Sequence, residues 1–65
     1  MTNAILTLLK QANCSLEAWE VAQQVGVTPR EATALLHRLQ DEDRVFMKNG
    51  FYTLSEAQRQ EMGDA

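Results

Sequence analysis

Between Ala22 and Glu31 the chain carries the marks of one helix ending and another beginning. Gly26 follows Val25, the last apolar position of a helical pattern, and glycine readily takes the positive φ that commonly ends a helix. Val27 supplies an apolar plug. Thr28 is an N-cap residue, and Pro29 falls at the first helical position, where its missing N–H costs nothing. Glu31, three residues after Thr28, completes the spacing of a capping box.

Helix, glycine-containing turn, helix is the signature of a helix-turn-helix, whose second helix often enters the major groove of DNA. The charge balance bears on that reading. Six Lys and Arg stand against nine Asp and Glu, a net charge of −3. Nucleic-acid-binding domains usually carry a basic surplus, because phosphate contacts supply most of the sequence-independent affinity. Any such surface here is therefore a local patch on an acidic body.

With 65 residues, 45% hydrophobic and 23% charged, the chain has room for one modest core and belongs to the globular class. Its lone cysteine, Cys14, excludes an internal disulfide and a thiolate metal cluster, and reads as a small, partly buried side chain near a helix start. One histidine, no glycine-rich phosphate loop and no recognisable carboxylate pair argue against an enzyme, a metal, a cofactor or a small-molecule ligand. The apolar run Ile5–Leu9 is short and lacks the flanks of a signal peptide, and no run approaches the roughly 20 residues of a membrane span. The expected compartment is the cytoplasm.

Residues 2–12 read as a first helix, with Thr2 or Asn3 as cap and Ile5, Leu6, Leu8, Leu9 and Ala12 on its apolar stripe. Asn13-Cys14 is the connection. A second helix runs to Val25 with Ala18, Val21, Ala22 and Val25 inward. Its start is open between Ser15 as cap and an extended Cys14–Glu17 leading to a helix nearer Ala18. The third helix spans Pro29 to about Glu42, with Ala32, Leu35 or Leu36, and Leu39 inward. The acidic run Asp41-Glu42-Asp43 opposes the dipole at a helix C-terminus and marks its end.

Asn49-Gly50 between two β-prone runs predicts a hairpin with a two-residue type I′ turn. The register that follows sets Lys48 opposite Phe51, Met47 opposite Tyr52, Phe46 opposite Thr53 and Val45 opposite Leu54. Val45, Met47, Tyr52 and Leu54 then share the core face, and Phe46, Lys48, Phe51 and Thr53 the other. Ser55 and Gln58 give a weaker capping signal for a short helix over 56–62. Residues 1–54 thus form the domain, and 55–65 a short helix or tail.

Three helices followed by a hairpin resemble the winged helix-turn-helix superfamily. The resemblance covers about residues 2–54 and rests on Glu20-Val21-Ala22, Val25-Gly26-Val27-Thr28, Leu36, Leu39, Asp43-Arg44-Val45 and Tyr52-Thr53-Leu54. Asp43 stands where the superfamily often has Gly, and Asp also tolerates left-handed backbone. Size and layout are similar to the small single-domain winged-helix regulators of bacteria. An iron-transport relative of similar size carries several cysteines in its wing, and this wing has none.

The resemblance implies a mainly α fold with a small hairpin and a DNA-binding transcriptional regulator as function. It assigns base or groove contacts to Thr28, Pro29, Arg30, Thr33, Ala34 and His37, with Arg38 flanking and Lys48 and Asn49 at the wing tip. Arg38, Arg44 and Lys48 would meet phosphates. So thin a cationic set implies action as a homodimer or beside a partner. The competing expectation is a winged-helix module that binds protein. Phe46 and Phe51 lie on the hairpin face away from the core, Leu35 adjoins Leu36 so that one leans outward, and Trp19 has no clear core position.

Overall fold

The computed structural model describes residues 2–12 and 15–63. The elements are α1 (Thr2–Ala12), α2 (Ala18–Val25), α3 (Pro29–Asp41), β1 (Val45–Lys48), β2 (Phe51–Leu54) and α4 (Glu56–Glu61). The fold is mainly helical with an antiparallel hairpin after the third helix, consistent with a winged helix-turn-helix. Among the described residues no helix is long and apolar enough to cross a membrane.

Each boundary has a local cause. Gly26 ends α2 at φ 86°, and the N–H groups of Gly26 and Val27 both donate to the Ala22 carbonyl, at 2.8 and 3.0 Å. The second of these bonds is that of a Schellman ending. Thr28 caps α3, its Oγ1 accepting from the Glu31 N–H at 3.2 Å. The capping box is only half made, because the Glu31 carboxylate takes the Thr28 hydroxyl at 3.3 Å and not the Thr28 N–H.

α3 ends by the same device as α2. Asp43 takes φ 60°, and the Arg44 N–H reaches back to the Leu39 carbonyl at 2.9 Å. Asn49 and Gly50 both have positive φ, 55° and 83°, as a type I′ turn requires. The observed register pairs Val45 with Leu54, Phe46 with Thr53, Met47 with Tyr52 and Lys48 with Phe51.

The start of α2 resolves to the later alternative. Leu16 is extended and bonds Tyr52 in both directions, its N–H to the Tyr52 carbonyl at 3.0 Å and the reverse at 2.7 Å. Glu17 is the N-cap of α2, and its N–H donates to the Glu20 carboxylate at 3.0 Å. Ser15 is not the cap. α1 already includes Thr2 and Asn3, so neither precedes it as a cap. The connection at Asn13-Cys14, and with it the environment of the lone thiol, lies outside the described residues.

The core joins Ile5, Leu6 and Leu9 of α1, Val21 and Ala22 of α2, Ala32, Leu36 and Leu39 of α3, and Val45, Tyr52 and Leu54 of the hairpin. Of the leucine pair, Leu36 is fully buried and Leu35 packs at the margin. One core assignment fails. Met47 shares a face with Val45 and Tyr52 but is 47% exposed. Tyr52 is covered by the Leu16 segment on its far side, whereas β1 is the outer strand and no element covers Met47 near the turn.

α4 is tied to the body at two points. The Lys10 ammonium donates to the Met62 carbonyl at 3.0 Å, and the Arg44 guanidinium donates to the Gln58 carboxamide at 3.4 Å. Gln58 is the one polar side chain buried among the described residues.

Candidate functional site

α3 presents two faces of opposite character. Ala32, Leu36 and Leu39 face α1, α2 and β1. Arg30, Ala34 and His37 recur at i, i+4 and i+7, which aligns them on the outer face, and all three are exposed. Arg38 is exposed beside them. Thr28 and Pro29 are exposed at the N-terminal end, where the helix dipole is met by the Glu31 carboxylate and the Glu31 N–H is taken by Thr28. Thr33 is half-buried, its hydroxyl donating to the Pro29 carbonyl at 2.9 Å, so its hydrogen is committed to its own helix.

The cations sort by what holds them. Arg44 makes a solvent-exposed ion pair with Glu42, Nε to Oε1 at 3.0 Å, and also donates to Gln58, so it links the junction of α3 and β1 to α4. Lys10 is bound to Met62. Among the described residues Arg30, Arg38, Lys48 and Arg59 have neither an ion-pair partner nor a side-chain hydrogen bond. Two of the four lie on α3, Arg59 lies on α4, and Lys48 is exposed with Asn49 at the hairpin turn. The acid is unevenly placed: Glu31 is at the N-terminal end of α3 and Asp41, Glu42 and Asp43 at the other. The outer face is therefore least acidic over its middle, from Ala34 to Arg38.

The hairpin carries the contrasting surface. Among the described residues, Phe46 (47% exposed), Met47 (47%) and Phe51 (38%) are three of the four exposed large apolar side chains, and Trp19 (55%) is the fourth. Phe46 and Phe51 are diagonal neighbours on one face, a placement within reach of aromatic rings. The Trp19 indole N–H donates to the carboxylate of Glu17, the residue that follows the Leu16 bridged to Tyr52. Leu35 is not among these, since it packs against the core. The Leu16–Tyr52 bridge is not legible in the sequence, because it joins segments far apart in the chain.

An open groove lies between α1 and the end of α2, lined by Asn3, Thr7, Leu8, Gln11, Gln24 and Val25. It holds no titratable group and no nucleophile stronger than a threonine hydroxyl. Among the described residues no cluster of His, Cys, Asp and Glu has a metal-binding arrangement. Comparison with protein-family models, with curated proteins and with solved structures finds no match to this chain.

Proposed function

We propose that the chain is a small cytoplasmic DNA-binding regulator of the winged helix-turn-helix type, reading the major groove with α3. The observation that carries this is the outer face of α3, where Arg30, Ala34, His37 and Arg38 lie exposed with no protein element over them. Arg30 suits a guanine edge, donating to O6 and N7, and Ala34 allows close approach or contact with a thymine methyl. Arg38 and, at the turn, Lys48 suit phosphates.

Two or three cations per chain make a weak monomeric complex. The logarithm of the binding constant should fall with the logarithm of salt at a slope of about −2 to −3. Fluorescence anisotropy on labelled duplex DNA across a salt series tests this. Binding at low salt with that slope, reduced by about one unit in Arg38→Ala, supports the reading. No binding at low salt, with the fold intact, overturns it.

A second reading has its own observation. The exposed Phe46, Met47 and Phe51, with Trp19 nearby, suit an interface between proteins better than a DNA backbone. In that reading the chain is a protein-interaction module and α3 has little or no affinity for duplex.

A further inference from the structure

β1 is the outer strand of the hairpin. β2 bonds β1 on one side and Leu16 on the other, and no further strand follows β1. Around a two-residue turn the bonded pairs are Lys48 with Phe51 and Phe46 with Thr53. Val45 and Met47 therefore direct their N–H and C=O groups away from β2. Tyr52, opposite Met47, obeys the same alternation on its own side, where its outward groups are the ones that bond Leu16. Val45 is only 2% exposed, so its edge is closed, whereas Met47 is open to approach. β1 has no proline and no bulge; its guards are its length of four residues and the single charge of Lys48.

We propose that this edge pairs with a second copy of the chain, antiparallel, with Met47 opposite the partner's Met47 on a twofold axis. Burial selects the register. Only Met47 offers accessible outward groups, and a symmetric antiparallel ladder must then set it against itself. A shift toward the base of the hairpin would need the closed edge of Val45 and would set Lys48 against the partner's Arg44, a like-charge pair.

In the Met47 register Phe46 stands directly opposite the partner's Lys48, as a non-bonded pair with Cα atoms about 4.5 Å apart. On that same face Lys48 already neighbours its own Phe51. Each ammonium is then flanked by two aromatic rings, Phe51 of its own chain and the partner's Phe46, an arrangement that attracts a cation. Met47 packs on the partner's Met47 across the other face. Two of the four exposed large apolar residues among the described residues, Phe46 and Met47, are covered, and no like charges are opposed. This match of cation to ring, repeated by the twofold axis, is what favours a second copy over an unrelated strand.

The interface is small, so the dimer is of the weak class that buries less than about 1,200 Å². Sedimentation velocity from low to high micromolar concentration, in the absence of DNA, is combined with amide hydrogen exchange at both ends of the range. The expected result is a monomer–dimer equilibrium in which the Met47 amide is protected only at high concentration. Met47→Lys puts two ammoniums face to face on the axis and should weaken dimerisation at least roughly tenfold, with the helical circular dichroism unchanged. Lys48→Ala should weaken it less. A monomer throughout the range overturns the proposal. So does a dimer whose Met47 amide exchanges freely, or one that Met47→Lys leaves intact. Because no DNA is present, neither result depends on what α3 binds.

Discussion

The outer face of α3 and the outer face of the hairpin lie on the same small core and differ in nearly every surface property. α3 shows two unpaired arginines, a histidine and an alanine, with no large apolar side chain exposed. The hairpin shows two phenylalanines, a methionine and one lysine. A helix whose inner stripe is Ala32, Leu36 and Leu39 has met its need for burial and leaves its outer face free for polar chemistry. A four-residue strand at the edge of a two-stranded sheet has no such inner partner near its turn, and its apolar residues stay open. The difference teaches that one 65-residue core supports two surfaces suited to different partners, one polar and one apolar.

Substitutions separate these faces, beginning with one that removes both. Leu36→Ala empties a fully buried site where the helices meet β1 and should cost about 2–5 kcal/mol, enough to unfold most of so small a domain. Thermal denaturation followed by circular dichroism would register it, and both binding activities should vanish together.

Gly26→Ala tests the angle at which α3 leaves the turn. An added Cβ meets no atom within 4 Å, so the penalty is purely the positive φ, about 1–2 kcal/mol. Urea denaturation should show that loss, and Gly26→Asn should show a smaller one, since asparagine tolerates left-handed backbone. Equal losses for the two would mean that φ is not the cause.

Asp43→Gly should move stability the other way, by about 0.5–1 kcal/mol upward. It relieves a left-handed non-glycine residue at φ 60° and removes a negative charge from the end of α3. A lower melting temperature would show that the Asp43 side chain stabilises the turn by a contact of its own.

The smallest effect on folding belongs to the hairpin face. Phe46→Thr should change stability by no more than about 0.5 kcal/mol, because half the ring is already in water and threonine suits a strand. It should leave duplex binding unchanged while weakening self-association. A large loss of stability would show that the ring belongs to the core and not to an interface.

Legibility followed the range of the interactions. The α2–α3 turn was readable because Gly26, Thr28 and Pro29 each act through backbone geometry within a few residues. The hairpin register was readable because Asn49-Gly50 admits one tight turn. The capping of α2 by Glu17 was missed, since Glu is an uncommon cap and Ser15 offered the better local signal. Met47 was misplaced because face alternation says which side a residue takes, not whether anything covers that side. Arg44 looked like a free cation until α3, β1 and α4 brought Glu42 and Gln58 to it.

By itself the sequence determined the end of α2, the start of α3, the hairpin turn and its register, all set by contacts spanning a few residues along the chain. Only the tertiary structure decided which cations stay free, that Leu16 bonds the far edge of β2 at Tyr52, and that Met47 is left uncovered. Those outcomes depend on segments distant in sequence meeting in space, which no local pattern encodes.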